Sequence, residues 1–438
     1  MTRGNRGNHL TKPPLEGRTI MLALTVCMGL IRGVCAELVT TIPIAPEPVG
    51  SGARALGQSA FIAVADDATA ASWNPAGLVN LEKPEASFVG IWKTIASDPS
   101  AASSNLSMNQ DSWDETEINF MSYALPLEIG NRDAVLSVNY HQVYDLSVDY
   151  KQTVSKTVAQ VYTADETTTG RWRGAISAWS LAGGVAIPSH PQVTVGASFN
   201  WYARSLCNDS VWHGTDRLRT VTDYPYGGPE PQTTTETLDN LRGYNFTFGL
   251  LWDAYERQQN LMTLGLVCHT PFTAEMDHEL VVNGVRDPRP YRVDIDFPLS
   301  LGAGLNYRFS DRLSTAVDVQ WTDWSDFNVR YTGGTTAPDD TLAFRWGGEY
   351  LTFFEGASQS VLAYRGGVFY EPRPAWDGTL PVYGFSLGLG WTVKERFSLD
   401  FAYQFRWGEA DGFTVNDAEF DYGIQEHWFI GSVVVYFR

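Results

Sequence analysis

Val193-Thr194-Val195-Gly196-Ala197-Ser198-Phe199-Asn200-Trp201-Tyr202 is the stretch whose reading decides the fold. Val193, Val195, Ala197, Phe199 and Trp201 fall on one side, and Thr194, Gly196, Ser198, Asn200 and Tyr202 on the other. That two-residue period marks a strand with one apolar and one small or polar face. The same alternation recurs in Ala134, Leu136, Val138 and Tyr140, in Leu313, Val317, Val319 and Trp321, and in Phe397, Leu399, Phe401, Tyr403 and Phe405. No apolar run after residue 36 approaches the roughly 20 residues of a membrane helix. If the chain crosses a membrane, it crosses in strands.

Extended along the chain, the pattern predicts about fourteen strands, starting near Pro84, Thr116, Arg132, Arg171, Gln192, Leu241, Asn260, Tyr291, Arg312, Thr341, Gln359, Pro381, Arg396 and His427. An even count of antiparallel strands closes into a barrel that satisfies every backbone group inside lipid. The predicted connections alternate in length. Residues 94–115, 151–170, 205–240, 270–290, 328–340, 371–380 and 407–426 are long, and 128–131, 188–191, 254–259, 309–311 and 393–395 are short. Outer-membrane barrels carry long loops outside and short turns on the periplasmic side, which places both termini in the periplasm. A soluble sandwich or propeller also supplies regular strands. Small faces such as Ser300, Gly302, Gly304 and Asn306, set against Leu299, Leu301, Leu305 and Tyr307, favour the barrel.

Residues 1–36 read as a secretory leader. Arg3, Arg6, Lys12 and Arg18 precede an apolar stretch from Ile20 to Ile31, and Val34-Cys35-Ala36 offers small residues at the cleavage positions. The formal net charge of −19 becomes more negative once that basic leader is removed. Such a surface argues against nucleic acid as a partner. Past the leader only Cys207 and Cys268 remain; a disulfide between them is open, and no spacing suggests a metal site or a cofactor.

Between leader and strands lies a different kind of segment: Gly52-Ala53-Arg54-Ala55-Leu56-Gly57, then Phe61 to Ala68, then Trp73-Asn74-Pro75-Ala76-Gly77-Leu78. It is small, mostly apolar and broken at Asn74-Pro75, where proline holds the preceding backbone out of the helical region. It reads as a plug for the barrel, and it resembles the N-terminal hatch of the FadL/TodX outer-membrane family. Later stretches also resemble that family: Trp321-Thr322-Asp323-Trp324-Ser325, Gly348-Glu349-Tyr350 with Tyr364 to Pro372, and His269-Thr270-Pro271-Phe272. The resemblance implies an all-β fold, a transmembrane antiparallel barrel of about fourteen strands with a hatch in its lumen. It divides the chain into leader 1–36, hatch 37–83 and barrel 84–438.

The resemblance further implies a monomeric bacterial outer-membrane transporter, folded by the barrel-assembly machinery and surrounded by outer-membrane lipid. Long-chain fatty acids or hydrocarbons are captured at outer loops, the hatch moves, and the ligand exits sideways through the wall. The hatch residues expected to carry that movement are Gly52, Arg54, Gly57, Asp66, Asp67, Asn74 and Pro75. A carboxylate ligand in a low-dielectric lumen needs a cation, for which Arg365, Arg345 and Arg204 are candidates, with Trp212 and Phe272 as apolar contacts. The hatch wording also resembles PorV-type barrels, which serve protein secretion, and this gives an alternative reading. No enzyme is indicated. Gly384-Phe385-Ser386-Leu387-Gly388 matches a hydrolase pattern but sits inside an alternating strand, not on the sharp elbow such a serine needs. Ser137, Asn139 and His141 share a strand face too spread out for a catalytic triad.

Overall fold

The structure is a computed structural model. It describes residues 47–101, 106–108, 111–128, 133–145, 147–158, 162–203, 213–221, 234–287, 291–330, 338–354, 359–375, 378–394, 396–415 and 418–437. The predicted leader, the start of the predicted hatch, Arg204, Cys207 and Trp212 lie outside these residues.

Fourteen strands form the wall: β1 (Glu85–Ala101), β2 (Asp111–Glu128), β3 (Asp133–Asp145), β4 (Ala175–Ile187), β5 (His190–Ala203), β6 (Thr234–Arg257) and β7 (Asn260–His269) make the first half. The second half is β8 (Ser300–Ser310), β9 (Leu313–Thr322), β10 (Thr341–Phe354), β11 (Ser360–Tyr370), β12 (Val382–Val393), β13 (Phe397–Val415) and β14 (Ala418–Tyr436). Each pairs antiparallel with the next. β14 returns to β1, from Glu85↔Tyr436 to Ala101↔Phe420, and so closes the sheet. Closure leaves no strand edge unpaired in lipid.

The alternation read from sequence is the inside–outside alternation of this wall. Leu136, Val138, Leu181, Phe199, Trp201, Phe248 and Leu266 are exposed on its outer face, while Ser137, Asn139, Ser180, Ser198, Asn200 and Thr247 are buried. Along β3 the contrast is sharp, with Val138 52% exposed beside Asn139 at 1%.

Several stretches predicted as loops are ordered strands. β13 and β14 stay paired through Val415↔Ala418, across most of the predicted loop 407–426. Val148–Val158, Tyr162–Arg173, His213–Val221 and Phe272–Val282, together with Tyr291–Phe297 where a strand was expected, form a second antiparallel sheet, which β6 joins through residues 234–242 before it enters the wall. Phe272–Val282 does alternate, with Ala274 and Met276 buried, although it falls in an expected connection; Val148–Val158 and Tyr162–Arg173 have no continuous apolar period. Their Thr and Val content still favours extended backbone, as at Thr153, Val154, Thr157, Val158 and Thr167 to Thr169. The strand predicted from Tyr291 is also two strands. Pro298, which has no N–H for a ladder, separates Tyr291–Phe297 from β8.

The described part of the N-terminal segment packs against the inner face. Helix α1 (Ala53–Gln58) touches β10 to β14, and the 3-10 turn Pro75–Asn80 touches β3 to β6. A second short helix, α2 (Ala70–Trp73), lies between them, and Glu47–Pro48 pairs with Asp145 and Tyr144 of β3. Close approach requires glycine at two wall positions. A Cβ on Gly347 would run into the Gln58 carbonyl oxygen, and one on Gly196 into the Pro75 backbone. Gly347→Val is therefore expected to undock the segment while the barrel still closes. Hydrogen exchange at residues 53–62 should rise, with the heat-modifiable shift of the folded barrel on SDS gels unchanged.

Candidate functional site

A short, irregular segment inside a barrel has many backbone groups without a partner of its own. Here the polar luminal side chains of the wall supply them. Gly52 N donates to Asn119 Oδ1 at 3.0 Å and Ala53 N to Ser432 Oγ at 2.9 Å. Gln404 Nε2 donates to Leu56 O at 2.8 Å, and Ser386 Oγ to Gly57 O at 2.8 Å. Phe61 N and Ile62 N both donate to Asp318 Oδ2, at 2.5 and 2.9 Å. Ala68 N reaches Glu85 Oε1 at 2.9 Å, and Ser198 Oγ reaches Ala71 O at 2.9 Å. The serine of the hydrolase-like pattern, Ser386, is thus a strand residue that holds α1.

The residues singled out in the segment have distinct places. Gly52 caps α1 at φ 91°, a left-handed value that favours glycine. Gly57 lies against Gly388 of β12. Asn74 donates to Ile62 O at 2.9 Å and Leu250 O at 3.3 Å, and its Oδ1 accepts from Ala76 N, which caps the turn that begins at Pro75. Arg54 pairs with Asp66 at 2.6 Å and approaches Glu349 of β10 at 3.4 Å. Burial raises the Asp66 carboxyl above its ordinary value, against the opposing pull of Arg54. Asp67 accepts from Thr69 N at 2.8 Å.

Arg365 is buried and held by two carboxylates, Glu349 and Asp400, each at 2.6 Å. It continues the Arg54 network into the wall. Arg345 lies elsewhere: it pairs with Glu371, donates to Gln320 Oε1 at 2.9 Å and sits 5.7 Å from the Trp73 ring. Glu371 also pairs with Arg406 at 2.8 Å, and Arg373 with Glu426 at 2.6 Å.

Above the segment is a cavity of about 140 Å³. Leu56, Ile62 and Trp73 contribute from the segment, Tyr144, Tyr202, Phe272 and Trp324 from the wall strands and the connections between them, and Arg345 and Glu371 from one side. The aromatic part is stacked. Phe272 lies between Tyr202 and Phe297 at centroid distances of 4.2 and 4.7 Å, with rings nearly parallel at 5° and 7°. Of the proposed ligand residues, the cavity gathers Arg345 and Phe272, while Arg365 is not part of its lining. Reading alternation alone did not pick out Asp318, Trp73, Tyr202 or Trp324. An acid on the inward side of a strand was the one available signal, at Asp318, which pairs with Gly304 of β8.

A model of the family described as outer membrane protein transport protein (OMPP1/FadL/TodX) matches residues 44–428. The chain belongs to this family. Its members transport hydrophobic small molecules across the outer membrane. No curated protein sequence matches the chain. Among solved structures, a Pseudomonas aeruginosa FadL homologue is similar over 90% of this chain and 100% of its own, at 15% identity and a TM-score of 0.62. The Ralstonia pickettii toluene transporter TbuX is similar over 89% of this chain and 99% of its own, at 16% identity and a TM-score of 0.52. The Pseudomonas putida toluene transporter TodX covers 89% and 98%, at 14% identity and 0.52. At such identities the likeness speaks to the fold alone.

Two expectations follow from the charges. Arg365→Gln leaves Glu349 and Asp400 buried beside a neutral group, and it should destabilise the barrel by about 3–5 kcal/mol, read as a lower temperature of heat modification. Glu371 lies between strands. Burial pushes its carboxyl up, but Arg345 and Arg406 outweigh that and hold it at about 2, below its usual 4.5. Its contribution to stability is therefore present above about pH 4.5 and lost as pH falls toward 2. Glu371→Gln should flatten that acid limb in a pH series of unfolding temperatures.

Proposed function

We propose that this chain is an uptake channel in which residues 37–83 act as a hatch and 84–438 as the barrel, once a leader of residues 1–36 has been removed. Long-chain fatty acids or hydrocarbons are taken from outside by the outer connections, among them the region of Trp212 and Arg204. They pass into the cavity beside Trp73, Phe272 and Arg345. Both termini lie in the periplasm. The observation that carries the reading is the cavity itself, bounded by aromatic rings and by the segment assigned as hatch.

In this reading the hatch shifts and the ligand leaves sideways. Supporting a lateral route, β3 and β4 slip register between Gln142 and Tyr144, and Val143 and Tyr144 line the cavity. Gln142 is buried there with neither amide atom hydrogen-bonded, so its side chain does not tie the wall together at this slip. Gating would require release of the contacts made by Gly52, Arg54, Gly57, Asp66, Asp67, Asn74 and Pro75.

A disulfide lock tests the gate. Ser59 Oγ and Ser386 Oγ are 2.7 Å apart, so Ser59→Cys with Ser386→Cys ties segment to wall. The oxidised protein should bind labelled oleate or toluene as before and pass none into proteoliposomes, with flux restored by reductant. Unchanged flux with the lock closed overturns gating. Absence of any bound apolar ligand, together with protein partners recovered from membranes, overturns uptake and favours a secretion scaffold of the PorV type.

A further inference from the structure

One part of the cavity wall is polar yet makes no ion pair among the described residues: His141 of β3, Asn200 of β5, Asn245 and Thr247 of β6, and His269 of β7. The amides in it are oriented from one end, which is fixed by a backbone carbonyl that only accepts. Asn245 Nδ2 donates to Thr270 O at 3.1 Å, so Asn245 Oδ1 is left to accept from Asn200 Nδ2 at 2.8 Å. The other proton of Asn200 Nδ2 goes to Thr247 Oγ1 at 3.1 Å. Thr247 Oγ1 keeps its own proton and a second lone pair, and it faces His269 Nδ1 at 3.1 Å. When that hydroxyl donates, His269 Nδ1 accepts and the ring proton sits on Nε2.

The other branch ends in the opposite tautomer. Asn200 Oδ1 accepts from Ser180 Oγ at 2.6 Å, which uses the one proton of that hydroxyl. Toward His141 Nδ1, at 3.5 Å, Ser180 is therefore the acceptor, and His141 carries its proton on Nδ1. The neutral ring is left with a bare Nε2. With both rings so protonated, the two histidines of one cavity offer, beyond their Nδ1 bonds, one N–H donor and one lone-pair acceptor.

We propose that the two rings take these tautomers and together recognise a hydroxyl group, and that the preferred ligand is a neutral, hydroxyl-bearing hydrophobic molecule such as a phenol. The hydroxyl oxygen accepts from His269 Nε2–H and its proton goes to His141 Nε2, while the apolar body lies against Trp73, Tyr202 and Phe272. A hydrocarbon satisfies neither nitrogen, and burying unpaired polar groups is costly. An ether or ketone satisfies His269 only, and a carboxylate brings no proton for His141. This inference rests on the uptake reading and narrows its ligand.

The test is a ligand series of equal shape on the full chain in detergent: p-cresol, 4-methylanisole, p-xylene and p-toluate, titrated by calorimetry and corrected for partition into micelles. The expected order is p-cresol, then 4-methylanisole, then p-xylene, with at least about tenfold between first and last. His141→Phe should bring p-cresol down to the level of 4-methylanisole, and His269→Leu should remove the preference over p-xylene. Equal binding of p-cresol and p-xylene overturns the hydroxyl inference and leaves uptake of hydrophobic molecules standing. Tightest binding of p-toluate overturns it in favour of an anion site at Arg345. Binding of none of the four overturns both.

Discussion

Every backbone N–H and C=O that leaves water must find a partner, and this demand organises the molecule twice. In the wall it is met by strand pairing that continues around from β14 to β1. Inside the wall it reappears, because the N-terminal segment brings short helical pieces into a space with little room for water. There the partners are side chains: Asn119, Ser432, Gln404, Ser386, Asp318 and Ser198 serve the backbone of Gly52 to Ala71. The polar inner face is therefore largely a socket for another part of the chain.

Charge is arranged by the same logic of enclosure. Burying an ion is tolerable only when it is paired and hydrogen-bonded. Two clusters meet that condition at different places. Arg54, Asp66, Glu349, Arg365 and Asp400 join the segment to the wall. Arg345, Glu371, Arg406, Glu426 and Arg373 border the cavity and the connection after β11. The first ties segment to barrel. The second gives the cavity a charged side, with Arg406 4.2 Å from the Trp428 ring and Arg345 beside Trp73.

The cavity is thus a composite of three chemistries: stacked aromatic rings, a guanidinium–carboxylate edge and a neutral chain of amides, hydroxyls and imidazoles. Each comes from separate strands and the connections between them, which the barrel brings together at one level. Phe272 shows the dependence most clearly. It follows β7 in sequence, yet its ring is set by Tyr202 on β5 and by Phe297 just before β8.

Alternation along Val193 to Tyr202 and its counterparts determined which residues face lipid and how many strands cross, because a period of two is imposed by the backbone itself. The small-residue character of Gly52 to Leu78 marked a segment unlike any strand. Pairing in the second sheet was not legible at stretches such as Tyr162–Arg173, where Glu166 and Gly170 interrupt any apolar period. Nor was the company kept by Arg365. Sequence made it an inward cation, and only the register of β10, β11 and β13 set Glu349 and Asp400 against it. The tautomers of His141 and His269 lie furthest from the sequence. The proposed assignment rests on a hydrogen-bond chain across β3 to β7, anchored at the carbonyl of Thr270. Local periodicity is written residue by residue, whereas partnership depends on which distant strands closure makes neighbours.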